Sequence, residues 1–216
     1  MFARSTEWVE ERLGLRPVAA RVLEHPVPRH ITWLHCFGGL TFFSFIVQVV
    51  TGVIMTFFYI PSPDHAHDSV AWFQGSVPFG SIVRNLHRWG AYAMVVLVFL
   101  HMLRVFVHKA YRKPRELNWV VGTVLLMVVL AFGFTGYLLP WDQKAYWATS
   151  VGLNIAGTVP FVGHSAANFL RGGAEVGALT LVRFYALHVF ILPLVVAGGL
   201  LLHFAMIRKQ GIARPL

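Results

Sequence analysis

The sequence predicts an all-α integral membrane protein: a four-transmembrane-helix up-down bundle with an N-terminal interfacial amphipathic helix and short helices on the positive (p) face between the third and fourth spans. Three observations carry this. The 216-residue chain is 56% hydrophobic and only 12% charged, with a mean hydropathy of +0.63, which leaves too little polar surface for a soluble domain. Four apolar stretches, residues 33–60, 89–108, 119–139 and 181–207, are long enough to cross a bilayer. The basic residues are distributed unequally between the segments that join them.

The N-terminal residues 1–27 set Trp8, Val9, Leu13 and Leu15 against Glu10, Glu11 and Arg12. They lack the apolar core and cleavage site of a signal peptide, and read as a helix lying in the membrane interface. Residues 61–83, with Pro61, Pro63, Asp64, Asp68 and Pro78, read as a structured loop. The connection 109–118 is short. The connection 140–180 is long and patterned (Val151, Ile155, Phe161, Val162), which fits short amphipathic helices on the p face. No linker or low-complexity segment divides residues 1–216, so a single domain is expected.

A net charge of +9 could suggest nucleic acid. Its distribution excludes that. Arg4, Arg12, Arg16, Arg21, Arg29, Arg104, Lys109, Arg112, Lys113, Arg115, Arg208, Lys209 and Arg214 fall on one face if four spans alternate, against Arg84, Arg88, Lys144, Arg171 and Arg183 on the other. The excess marks the negative (n), cytoplasm-like side, faces anionic lipid headgroups, and places both termini there.

Four histidines stand in or directly beside the apolar segments: His87 and His101, 14 residues apart, and His188 and His203, 15 apart. At about 100° and 1.5 Å per residue, each pair returns to nearly one helix face, roughly 21 to 23 Å apart along the axis. Alternation makes the second and fourth spans parallel, so His87 pairs with His188 near the p side and His101 with His203 near the n side. An intramembrane ionisable group is costly and marks function. Two stacked bis-imidazole pairs form the ligand set for two haems. Iron with two imidazoles has no open site for oxygen or substrate, and so transfers electrons. His108 and His164, at segment edges, receive no ligand role.

Gly38 and Gly52 in the first span, and Gly122 and Gly136 in the third, repeat the 14-residue spacing. On helices that do not ligate the iron, a missing side chain at haem height would clear the macrocycle. Arg84 and Arg88, at p-side height, and Arg208 and Lys209, with Arg104, at n-side height, are candidate partners for propionates or an n-side quinone; snorkelling anchors are the plainer reading. Cys36, alone, cannot form an intrachain disulfide, and an isolated cysteine is ordinarily a small core residue.

The runs RNLHRWGAYAMVVLVFLHMLRVF, KPRELNWVVG, GFTGYLLPWDQKAYWA, RFYALHVFILPL and HFAMIRKQGIARPL closely resemble the cytochrome b family, in its four-helix b6-type form. The likeness runs from EWVEERLG to the C-terminus, and the 15-residue gap is similar to the b6 type; mitochondrial-type chains have one residue fewer. The resemblance implies a subunit of a quinol-oxidising complex in which two haem b groups, on His87/His188 and His101/His203, carry electrons from p-side quinol oxidation to an n-side quinone. It implies a third haem, of c type, held by a thioether to Cys36. It also implies menaquinone or plastoquinone, a Rieske iron–sulfur protein, a c-type cytochrome, a subunit IV-like C-terminal cytochrome b chain that supplies the Pro-Glu-Trp-Tyr segment, and a homodimeric complex. Tyr137, Trp141, Ala148 and Val151 are expected to line the part of the quinol pocket that this chain contributes.

Two departures from the family's pattern bear on this. An acidic pair proposed to serve protons to the n-side quinone is replaced by Ala20 and Arg21, leaving Glu24, His25 or His30, and beside Cys36 the n-side His35, as candidates. The N-terminal third and the 61–83 loop differ from plastid relatives, which favours a bacterial plasma membrane over a thylakoid. Two other readings stay open: a dihaem anchor of a hydrogenase or formate dehydrogenase, and a non-redox transporter or structural membrane protein. The spans carry no central Asp, Glu or Lys, which weakens the last.

Overall fold

The computed structural model describes residues 2–14, 16, 17, 20, 29 and 31–213. Leu15, Arg21, Glu24, His25, His30 and Arg214 lie outside the described residues. The chain divides into two units, residues 1–32 and 33–216.

In the first unit, α1 spans Phe2–Leu13. Arg12 places its guanidinium 4.2 Å from the centroid of the Trp8 ring and donates to the Trp8 carbonyl at 3.0 Å. This i, i+4 pair staples one turn and leaves Trp8 and Leu13 exposed.

In the second unit every described element is helical. A 3₁₀ turn, Trp33–His35, leads into α2, Cys36–Thr56. No charge interrupts α2, and Thr41 and Thr51 bond back to the carbonyls of Phe37 and Val47 at 2.8 and 2.6 Å, satisfying hydroxyls that lipid could not. The expected loop 61–83 instead contains an 11-residue helix, α3, Ala66–Ser76, which buries Ala66, Ser69 and Phe73 on one face.

Helix α4, Gly80–Val107, begins well before the apolar stretch at residue 89. The polar residues Arg84, Asn85 and Arg88 lower the hydropathy there without breaking the helix. The turn into it is tight. Phe79 is left-handed, with φ 63°, and a β-carbon on Gly80 would overlap the Phe73 carbonyl.

After α5, Glu116–Leu138, the connection holds two of the expected short helices, α6, Gln143–Gly157, and α7, Gly163–Arg171. The Asp142 carboxylate caps α6 by accepting from the Ala145 N–H at 2.8 Å. The last span is continuous over Ala178–Gln210 but not uniform. Helix α8, Ala178–Ala186, passes through a π-helical turn, Leu187–Ile191, into α9, Leu192–Gln210. Pro193 accounts for that turn: its ring would meet the carbonyl four residues back in a regular α-helix.

The four spans form two close pairs, α2 on α4 and α5 on the last span. Between them Met94, Val98, Leu126 and Val129 make a buried apolar cluster at mid-height. A second cluster joins Ala66, Leu138, Leu153, Val176, Leu181 and Phe184 at one end. Phe43, Val96, Val124 and Leu201 point outward, each more than half exposed. An apolar surface of that kind suits lipid or partner subunits, and four helices are long and apolar enough to cross a membrane.

Candidate functional site: two stacked histidine pairs

Helix α4 carries His87 and His101, 14 residues or about four turns apart; the last span carries His188, inside the π turn, and His203. The structure brings them together as spacing expects. The rings of His87 and His188 have centroids 6.3 Å apart at 70°, and those of His101 and His203 are 6.5 Å apart at 80°. The apolar cluster of Met94, Val98, Leu126 and Val129 separates the two levels in sequence and packing.

Each of the four spaced glycines stands against one histidine, on the partner helix of its own pair. A β-carbon on Gly38 would lie 3.0 Å from Cε1 of His101, and one on Gly52 would lie 3.3 Å from Cε1 of His87. The corresponding distances are 3.5 Å for Gly122 and His203 and 2.5 Å for Gly136 and His188. By spacing alone, these glycines would clear a macrocycle. What lies directly against them is the imidazole itself, because the glycine-bearing helix is the close packing partner of the histidine-bearing one.

Sequence reasoning misses Thr51 and Thr135, which are buried at 4% and 5% exposure. Thr51 Oγ1 is 2.8 Å from Nδ1 of His87, and Thr135 Oγ1 is 3.2 Å from Nδ1 of His188. The Gln48 and Phe132 backbones offer further acceptors near these two rings. At the other level, His203 Nδ1 is buried and makes no hydrogen bond among the described residues, with the Asn118 backbone offering an acceptor nearby. The available signal was the dipeptide Thr-Gly, present at 51–52 and again at 135–136.

The candidate cations are less uniform. Arg84 donates to the Gln74 side chain and lines a cleft of about 280 Å³ with His67, Gln74, Pro140 and Asp142. Arg88, Arg208 and Lys209 are exposed. Arg104 has Nε and one terminal nitrogen buried without a partner among the described residues. Tyr137, Trp141, Ala148 and Val151 are not among the residues lining the cleft. Cys36 is an exposed free thiol at the start of α2, two residues before Gly38 and so at the His101 level. Beside it the His35 ring packs edge-on against His108, centroids 6.0 Å apart.

Imidazole pairs on facing helices, each ring seated against a glycine, define a class: helical integral membrane proteins with paired histidines at two levels. The comparisons narrow the class. The sequence model described as cytochrome b/b6/petB matches residues 22–211, and the chain belongs to the cytochrome b/b6 family. It is similar to the menaquinol:cytochrome c reductase cytochrome b subunit of Geobacillus thermodenitrificans, 48% identical with both chains covered in full. It is likewise similar to the cytochrome b6 of Heliobacterium modesticaldum, 48% identical over 97% of this chain and 99% of that one. Among solved structures it resembles a chain of a hyperthermophilic respiratory Complex III, with a TM-score of 0.88 and 32% identity. That likeness covers 97% of this chain and 56% of the other. The protein is therefore an electron-transport membrane protein of the type found in quinol-oxidising complexes.

Proposed function

We propose that the chain is the electron-transfer subunit of a quinol:cytochrome c or plastocyanin-type oxidoreductase, linking a p-side quinol oxidation site to an n-side quinone reduction site. One observation carries this reading: two imidazole pairs, 6.3 and 6.5 Å between centroids, stacked on the same two spans. The separations suit a shared iron. Two metal–nitrogen bonds of about 2.0 Å, each extended by an imidazole radius of about 1.1 Å, put the centroids roughly 6.2 Å apart. Bound there, haem b supplies one-electron transfer with no open coordination site.

His87 and His188 hold the p-side haem in this reading, and His101 and His203 the n-side one. Gly38, Gly52, Gly122 and Gly136 let the rings lie close to the neighbouring helices. Met94, Val98, Leu126 and Val129 keep water out between the levels. Arg84, Arg88, Arg208 and Lys209 offer positive charge to propionates or to an n-side quinone. Cys36, exposed at the n-side level, offers its thiol for a third, covalent haem of c type.

The quinone is menaquinone or plastoquinone. The partners are a subunit IV-like chain, a Rieske protein and a c-type cytochrome, in a homodimeric complex in a bacterial plasma membrane. The asymmetry of basic residues supports both termini on the n side.

The test is a pyridine haemochrome spectrum of the purified protein before and after acid–acetone extraction. Two extractable b haems and one retained c haem are expected. Two extractable haems with none retained would remove the thioether role of Cys36, and a folded chain without haem would overturn the reading.

A further inference from the structure

The two histidine levels differ in what their Nδ1 atoms meet. Thr51 and Thr135 each precede a glycine that faces a histidine; the residues in the same place at the other level are Phe37 and Val121, which offer no hydroxyl. A threonine hydroxyl has one hydrogen. In Thr51 that hydrogen is committed to the Val47 carbonyl at 2.6 Å, and in Thr135 to the Ala131 carbonyl at 2.8 Å. Each oxygen is left as an acceptor, so the contact to the imidazole runs from Nδ1–H to Oγ1. The hydrogen already donated to the helix polarises the oxygen and strengthens it as an acceptor. His87 and His188 are thereby fixed as Nδ1–H tautomers, with the Nε2 lone pair free for a metal. His101 makes no hydrogen bond among the described residues, and His203 Nδ1 meets no hydroxyl, its nearby acceptor being the Asn118 backbone.

We propose, on the haem reading above, that Thr51 and Thr135 are positioning residues that act through His87 and His188 to lower the reduction potential of the haem held at that level. An imidazole that donates a hydrogen bond from Nδ1 is a more electron-rich ligand. It stabilises the ferric state, with its additional positive charge, more than the ferrous state. Two such ligands on one iron act together. Gln48 and Phe132 leave a backbone acceptor in place, so removal of the hydroxyl weakens the effect without releasing the ring.

The test is Thr51→Val and Thr135→Val, singly and together, in the purified complex. Haem content and the midpoint potential of each haem are measured, with parallel titrations in a His203→Ala background to assign the level. The expected result is parental haem content, a raised potential at the His87/His188 level and an unchanged one at the other. A tenfold loss of ferric over ferrous preference reads as about 59 mV. Full haem with an unmoved potential in the double valine variant overturns the proposal and leaves the haem reading intact. If the double valine variant loses that haem, Thr51→Ser with Thr135→Ser decides. A parental potential there upholds the hydroxyl's role, and a shifted potential or absent haem overturns it. A parental protein with no haem overturns the proposed function and this inference with it.

Discussion

Gly136 and His188 are so close that a β-carbon on the glycine would stand 2.5 Å from Cε1 of the imidazole and 3.1 Å from Nδ1. No side chain fits there unless the ring moves, and the ring is tied to Thr135. Gly136→Ala should therefore displace His188 and remove haem from its level, at a cost to stability of about 1–3 kcal/mol. The ordinary contact of 3.5 Å at Gly122 makes Gly122→Ala the tolerated member of the series. Haem content of the two purified variants checks the order, and equal occupancy would sink the argument. Gly52→Leu, with far more volume against His87, should exclude haem outright.

His203→Ala removes one imidazole of the pair at 6.5 Å. The haem at that level should be lost, and quinol oxidation by the complex should stall after about one turnover for want of an onward acceptor. Redox titration should show the other b haem retained. Normal steady-state turnover in this variant would refute the ligand assignment.

Asp142 caps α6 through a 2.8 Å bond from the Ala145 N–H. Asp142→Ala should lower stability by about 1 kcal/mol, read as a fall in Tm of the detergent-solubilised protein, while Asp142→Asn should recover most of the loss. An unchanged Tm in the alanine variant would show that the cap contributes nothing.

Tyr59, beyond the end of α2, donates to the Leu139 carbonyl at 2.8 Å and stacks on Tyr185 with centroids 5.3 Å apart. Burial, and then the neighbouring Tyr185 phenol, hold its pKa well above the ordinary tyrosine value. A phenol that stays protonated longer in the folded state gives stability that is present below about pH 10 and lost progressively above it. Tyr59→Phe should lower Tm at neutral pH through the lost hydrogen bond, by about 1 kcal/mol, yet flatten its decline above pH 10. A parallel decline in parent and variant would contradict this.

The histidine pairs and the spaced glycines were legible in the sequence because helical geometry turns a number of residues into a height and a direction. Segment edges were less legible. Hydropathy marks where lipid begins, whereas α4 continues through Arg84, Asn85 and Arg88 to Gly80 because nothing there opposes a helix. Helix α3 was hidden by the prolines on either side of it; its signal was the small stripe of Ala66, Ser69 and Phe73. Thr51 and Thr135 were hidden for a different reason. A threonine in a membrane helix normally bonds back to its own backbone, and these two do so while also meeting a histidine. Only three-dimensional proximity reveals the second contact.

The π turn at Leu187–Ile191 has a consequence for how such a chain tolerates change in length. In a regular helix, one added residue rotates everything beyond it by about 100° and lifts it by about 1.5 Å. Here the wide turn closes with the Leu192 N–H on the Leu187 carbonyl, five residues back, and takes up the surplus residue in place. His188 and His203, separated by 15 residues, thus still meet His87 and His101, separated by 14. The turn works as a slack loop in a ruler: the count along the two spans differs, but the marks remain level.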